Sequence, residues 1–392
     1  MKKNEIFITS ALRTAVGSLG KSLKNSSAES LGSAVISESI KKNKISGNDV
    51  DEVIMGQVLT GGAGQNPARQ AAINSGIPKE KPAFIVNQVC GSGLRSIISG
   101  FQSIKAGDSG IVLAGGQESM SLAPHAIHLR DGKKLGDVEM TDTMIKDGLW
   151  DAFHGYHMGV TAENVATKFQ VTRDDQDKFA LKSQQKALAA QKENKFREEI
   201  VNYKIKSKKA EINFNKDEHP REGINLESLS RLKPVFKKDG SVTAGNASGI
   251  NDGAAVVTIM AKEEAEKRNL EKLVSIKSWA SCGVDPALMG TGPIPASKKA
   301  LDLAGWSIND IDLFEINEAF AAQSIAVYKT LSIPEEKINV NGGAIALGHP
   351  IGASGTRILV TLIHEMIKRD VKKGLATLCI GGGMGIAMCI ER

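Results

Sequence analysis

The sequence predicts an α/β protein of two similar βαβαβ halves packed in layers, with a large loop-domain insertion in the first half. Three observations carry that reading. Short segments of the N-terminal part recur near the C-terminus in the same order, strand-like apolar runs alternate with helix-like spacing in both parts, and the composition between them turns polar. Residues 1–120 form the first half, completed by about 248–270; 121–247 form the insertion; 271–392 form the second half.

The repeats are specific. DVDEVI at Asp49 returns as DIDLFEI at Asp310, the Ile-Pro at Ile77 as that at Ile333, and IVNQ at Ile85 as NVNG at Asn339. SGLRSI at Ser92 returns as SGTRIL at Ser354, and IVLAGGQESM at Ile111 as ATLCIGGGMGIAM at Ala376. Each half therefore reads strand, helix, strand, helix, strand. In the insertion, Thr172 followed by Asp174 and Asp175 is a helix-start signal for a long segment reaching Asn194.

Bulk properties narrow the function classes. The 392 residues are 41% hydrophobic and 24% charged, ordinary for a soluble globular chain. No apolar run approaches the roughly 18 residues of a membrane span, and MKKNEIFITSALRT has no signal-like apolar core, Ile6 to Thr9 already reading as a first strand. Cys90, Cys282, Cys379 and Cys389 lie far apart without a C-x-x-C pair, so neither a metal site nor a disulfide framework is expected, and a reducing, cytoplasmic setting fits. The net charge of +6 comes with only 4% aromatics, which argues against nucleic acid and suits an anionic small ligand. The lysine-rich KIKSKKAE, Lys204 to Glu211, reads as a solvated face.

The candidate chemistry lies at corners. Phe84 to Val89 reads as a buried strand, and Leu94, Ile97, Ile98, Phe101 and Ile104 have the spacing of a helix face, so Cys90 sits where a strand turns into a helix. A lone cysteine is most often a small buried hydrophobe. At this corner, however, free N–H groups and the helix dipole are expected to lower the thiol's pKa and favour a nucleophile. The competing reading, a dinucleotide loop at Gly91-Ser-Gly93-Leu-Arg-Ser96, lacks the third glycine and a ribose-binding acid.

His349, in NGGAIALGHPIGASGTR, occupies the slot in the second half that Cys90 holds in the first. Two equivalent loops can face each other across the interface of the halves, which would bring His349 to Cys90 as a base or ion-pair partner. CIGGGMG places a second thiol, Cys379, before glycines with unobstructed N–H groups: either a buried cysteine before a turn or a proton-transferring thiol beside an oxyanion hole. In EINEAFAAQ, Asn317 and Glu318 sit at a polar corner, where Asn317 serves as a cap or fixes a water or carbonyl oxygen.

Taken together, NQVCGSGLRSI, GYHMGVTAENVA, HPREG, GNASGINDGAA, NEAFAAQ, GGAIALGHPIGASGTR and CIGGGMGIAM closely resemble the thiolase family, in order and over essentially the whole chain. The resemblance is nearest to its biosynthetic, acetoacetyl-CoA-forming branch. It implies a duplicated fold layered α-β-α-β-α and a reversible Claisen condensation of two acetyl-CoA to acetoacetyl-CoA and CoA, with CoA thioesters as substrates and no further cofactor or metal.

By that resemblance Cys90 is acylated, His349 activates it, and Cys379 removes a proton from the second acetyl-CoA. One oxyanion hole comes from His349 with a water held by Asn317, the other from the N–H groups of Cys90 and Gly381. His157 and Ser248 approach the pantetheine, and Arg221 and Ser228 lie near the adenine nucleotide. WDAFHGYHMG and Met289 resemble short-chain enzymes. The polar segment His128 to Gly148 resembles a loop that joins two dimers into a homotetramer. A degradative 3-ketoacyl-CoA thiolase with a wider pocket, and a non-catalytic acyl-CoA- or lipid-binding relative, are the alternatives.

Overall fold

The computed structural model describes residues 5–206 and 211–392; part of the lysine-rich run, 207–210, lies outside the described residues. The first half supplies β1 (Ile6–Thr14), β2 (Glu52–Gly56), β3 (Ala83–Val86), β4 (Ile111–Ser119) and β5 (Asn251–Ala261). The second supplies β6 (Val274–Gly283), β7 (Leu313–Ile316), β8 (Lys373–Ile380) and β9 (Met384–Glu391). They follow one hydrogen-bonded path, β7-β8-β9-β6-β1-β5-β4-β2-β3, within an eleven-stranded sheet. The halves meet along it only at a short antiparallel junction, where Phe7 pairs with Ser275 and Ile8 with Val274.

Burial defines five layers. The helices α1 (Ala28–Lys42) and α2 (Pro67–Asn74) cover one face of the first half through Leu31, Val35, Ile36, Ala68 and Ala71. The helices α3 (Ser92–Ala106) and α4 (Ser354–Arg369) are shared, packing Leu94, Ile97, Ile98, Ile358, Leu359 and Ile363 against strands of both halves. On the far side Pro293–Ala304 and Ala321–Leu331 cover the second half through Ala296, Ala300, Leu301, Val327 and Leu331. This is the expected α-β-α-β-α order. Most strands are buried on both faces, so their segments read as continuous apolar runs rather than alternating ones. The edge strand β3 is the exception: the buried strand expected over Phe84 to Val89 ends at Val86 and leaves Phe84 40% exposed, because no further strand covers it.

The duplication reaches small details. A 3₁₀ turn with a Ser-Asp capping box precedes β2 at Gly47–Asp49, and another precedes β7 at Ile308–Asp310. At the centre, the first turns of α3 and α4 touch. A Cβ on Gly93 would come within 2.7 Å of the Thr356 backbone nitrogen, and one on Gly355 within 2.5 Å of that of Leu94. Only glycine allows this approach, and the Thr356 hydroxyl donates across it to the Gly93 carbonyl at 3.0 Å.

One predicted strand is absent. NVNG at Asn339, the counterpart of IVNQ, forms no strand: the preceding Ile338 makes an isolated bridge with Phe314, and the Asn339 N–H donates to the Phe314 carbonyl at 2.9 Å. Asn339 has φ of 42°, outside the strand region. Its side chain replaces the ladder: Oδ1 accepts from the Ile316 N–H and Nδ2 donates to the Ile316 carbonyl, both at 2.8 Å. In the insertion, Arg173–Lys192 forms the expected long helix, with the Thr172 hydroxyl and Asp175 carboxylate making a reciprocal capping box.

Candidate active site

The contact of α3 with α4 brings the two duplicated corners together, because each corner immediately precedes one of these helices. Cys90 follows Val89, whose φ of 46° turns the chain sharply out of the strand. Cys90 is partly buried and packs against the cluster of Val58, Leu59, Met120 and Ile351, the last from the second half. The N–H groups of Gly381 and of Cys90 itself both point at the sulfur.

His349 is held in a defined tautomer. The Ser354 hydroxyl donates to the Pro350 carbonyl at 2.8 Å, so its oxygen accepts from His349 Nδ1–H at 2.5 Å. Nε2 is thereby left as the proton acceptor. The His349 N–H donates to Asn251 Oδ1 at 2.9 Å, which fixes the loop. Asn317 Nδ2 lies 3.5 Å from both ring nitrogens, while its Oδ1 is buried without a partner among the described residues. An orphaned buried carbonyl oxygen beside a histidine fits an ordered water, so Asn317 is not a helix cap here.

Glu318 is instead structural, accepting from Ser183 Oγ at 2.6 Å, Asn339 Nδ2 at 2.8 Å and the Ile345 N–H at 3.2 Å.

Electrostatics revises the expectation of a depressed thiol pKa. Burial pushes Cys90 up to about 11 against the opposing hydrogen bonds of Gly381 and Cys90, and the Glu118 carboxylate raises it further. Desolvation, with some help from Arg357, holds His349 down at about 3. The resting pair is thus a neutral thiol and a neutral imidazole, because burial disfavours both charged forms. The proton has to move as the thiol attacks a carbonyl rather than beforehand. Cys379, fully buried, is driven well above the ordinary thiol range by desolvation and then by Cys90, which places the two thiols within electrostatic reach.

Iodoacetamide alkylation of Cys90, located by peptide mass analysis, is therefore expected to climb continuously from about pH 7 to about pH 11 in the free protein. A plateau reached by about pH 8 would show a preformed thiolate.

A cavity of about 300 Å³ is lined in part by His349. His157 and Ser248 line it, together with Phe236, Ala247, Phe320 and Ile351, largely apolar groups suited to a slender neutral arm. His157 stacks on Phe236 with ring centroids 4.6 Å apart and accepts from the Gly159 N–H at 3.0 Å. The Ser248 N–H donates to the Ala319 carbonyl at 2.9 Å, tying its loop to the Asn317 corner.

Arg221 and Ser228 are exposed and do not line this cavity. The Ser228 hydroxyl donates to the Asn225 carbonyl at 2.7 Å as part of a helix cap. Sequence reading missed Phe236, Phe320 and Glu118; the two phenylalanines carry no signal that separates a cavity wall from core.

Fold and site together define a thiol-dependent acyl-transfer architecture in which both halves of a duplicated chain contribute to one centre. Residues 6–263 match the family description Thiolase, N-terminal domain, and residues 270–392 match Thiolase, C-terminal domain. The chain belongs to the thiolase family. It is similar to an acetyl-CoA acetyltransferase of Rhizobium meliloti, 58% identical over 392 residues covering 100% of both chains. It is likewise similar to a cytosolic acetyl-CoA acetyltransferase of Rattus norvegicus, 54% identical over 389 residues covering 99% of this chain and 98% of the relative.

Among solved structures, the Bacillus anthracis acetyl-CoA acetyltransferase superposes with a TM-score of 0.97 at 45% identity, covering 99% of this chain and 98% of that one. Human mitochondrial 3-ketoacyl-CoA thiolase does so at 0.95 and 43%, with the same coverage.

Proposed function

We propose that this enzyme is an acetyl-CoA C-acetyltransferase, joining two acetyl-CoA reversibly into acetoacetyl-CoA and CoA. The observation that carries the reading is that Cys90, within electrostatic reach of Cys379, packs against Met120 and Ile351, which line the same apolar cavity as His349, the neighbour of Asn317. The Cys90 sulfur attacks the thioester carbonyl as His349 Nε2 takes the thiol proton, and Cys379 gives its own proton to the departing CoA sulfur. In the second step the Cys379 thiolate left behind takes a proton from the methyl group of a second acetyl-CoA. The resulting carbanion attacks acetyl-Cys90, forming the new C–C bond and expelling the sulfur, which recovers the proton held by His349.

The oxyanions are met by His349 with a water on Asn317, and by the N–H groups of Cys90 and Gly381. Preorganised donors of this kind contribute on the order of 3 kcal/mol each. The orphaned Asn317 Oδ1 supports the first hole, and the two amides at the sulfur support the second.

Pantetheine runs along His157 and Ser248. Arg221, exposed on the same insertion, is assigned to the adenine nucleotide by family resemblance alone, and Ser228 with it; a guanidinium suits a phosphorylated nucleotide.

A short acyl group fits the wall around Cys379, where Met158, Met289 and Phe320 are buried together. Turnover of acetyl-CoA and acetoacetyl-CoA should therefore exceed that of long-chain 3-ketoacyl-CoA. The reverse preference would instead favour the degradative alternative, and absence of any acyl-enzyme the non-catalytic one.

The assembly is a homotetramer, a dimer of dimers, acting in the cytoplasm. Leu129, Leu135 and Met140 in the joining segment are 51%, 90% and 61% exposed, apolar surface that a second copy would cover. Deleting His128 to Val138 is expected to leave a dimer by light scattering. A wild-type monomer would overturn this assignment.

A further inference from the structure

We infer that Glu118 is a positioning residue for Cys90: one buried carboxylate that clamps the catalytic loops of the two halves together and sets the charge behind the nucleophile. The inference rests on the proposed acyl transfer but deepens it, since the hydrogen bonds of Glu118 go to backbone N–H groups of the loops around Cys90 and not to its sulfur.

Its geometry is unusual for an acid. Glu118, on β4, is fully buried. Its Oε2 accepts from the Val58 N–H at 3.0 Å and the Gly352 N–H at 2.9 Å, and its Oε1 accepts from the Leu59 N–H at 3.1 Å. Val58 and Leu59 belong to the first half, whereas Gly352 lies in the His349 loop of the second. The same carboxylate therefore fixes Val58, Leu59 and the neighbour of Ile351, which are the wall against which Cys90 packs. The seam has no slack: a Cβ on Gly352 would come within 2.6 Å of Glu118 Oε2 and 2.8 Å of the Gln57 Cα.

The three partners are backbone donors, so they match a carboxylate and offer nothing to accept its proton. Burial nevertheless holds this carboxyl up at about 7, the three hydrogen bonds opposing.

The ionisable groups around the seam act in known directions. Asp252 on β5, itself bonded by the Ser121 N–H and hydroxyl, raises Glu118. Glu118 in turn raises Cys90, and Cys90 raises Cys379. His349 is neutral at working pH and adds no charge. The negative charge that Glu118 carries as the pH rises past about 7 disfavours a free thiolate at Cys90 and leaves the acylated, uncharged sulfur unaffected, which holds the thiol in reserve until a carbonyl is present.

Two variants separate clamp from charge. Glu118→Gln removes the charge and presents an amide donor to N–H groups; Glu118→Asp keeps the charge and shortens the reach. Condensation kcat should fall about tenfold or more in both, with the acetyl-CoA KM within about twofold of wild type. The pH midpoint for alkylation of Cys90, measured without any acyl-CoA, should move down in Glu118→Gln and stay in Glu118→Asp.

A wild-type kcat in either variant, or a fall in kcat in Glu118→Gln with an unmoved midpoint, overturns the inference. Should Glu118→Gln fail to fold, the kcat and midpoint of Glu118→Asp decide alone. The alkylation result stands apart from the acyl-transfer reading, which fails separately if the wild type forms no acetyl-enzyme.

Discussion

Replacing Cys90 with alanine is expected to abolish condensation and thiolysis alike, by on the order of 10⁵-fold or more, the scale on which loss of a nucleophile acts in related covalent mechanisms. The thiol is the group at the strand-to-helix corner that carries the acetyl group between two CoA molecules; the nearby Ser92 hydroxyl is committed to the Val89 carbonyl and the Gln88 N–H, and an alanine methyl offers no lone pair. The site is partly exposed and its walls come from other residues, so the fold should survive with an unchanged circular dichroism spectrum. In the wild type, incubation with acetyl-CoA followed by peptide mass analysis should place the acetyl group on Cys90. An acetyl group found on Cys379 alone would reverse the two roles.

Cys379→Ser is expected to separate the two half-reactions. Acetylation of Cys90 should largely persist, because Cys90 and His349 are untouched and a CoA thiolate departs with little need of an acid. Condensation should fall roughly 10²- to 10⁴-fold, the usual contribution of a positioned acid or base. A serine hydroxyl is a far weaker acid than a thiol, and its alkoxide is inaccessible at neutral pH in a site that already drives the native thiol upward by burial. The variant also buries a hydroxyl among Met158, Ala162 and Met289, which costs about 1–3 kcal/mol if unpaired. The melting temperature is therefore recorded alongside both rates. Equal loss of acetylation and condensation would show that Cys379 instead supports the fold or the first step.

Much of this arrangement is written in the sequence, because duplication turns a local motif into a spatial prediction. Once SGLRSI and SGTRIL are matched, the residues preceding them must occupy equivalent corners, and Cys90 and His349 are placed without any contact being known. The capping box at Thr172 is equally legible, since the residue types and their spacing are themselves the interaction.

What escapes the sequence depends on burial and on non-local partners. Asn339 looks like part of a strand until its side chain is found doing the work of the ladder. The helix-start argument for a reactive Cys90 names a real field, but desolvation outweighs it. Glu118 sits at the polar end of IVLAGGQES, where its type alone gives no hint that three N–H groups from two halves converge on it.

The glycine-to-glycine contact between α3 and α4 relates the halves by an approximate two-fold rotation. Two identical half-length chains meeting this way would carry the same residue at both corners: two thiols or two imidazoles, never one of each. Joining the copies into one polypeptide breaks that constraint. Each corner is then free to specialise, one toward nucleophile and the other toward base, in guaranteed one-to-one proportion. Restoring the symmetry, by making both corners alike, is the one change at this interface that would keep the packing logic and erase the division of labour.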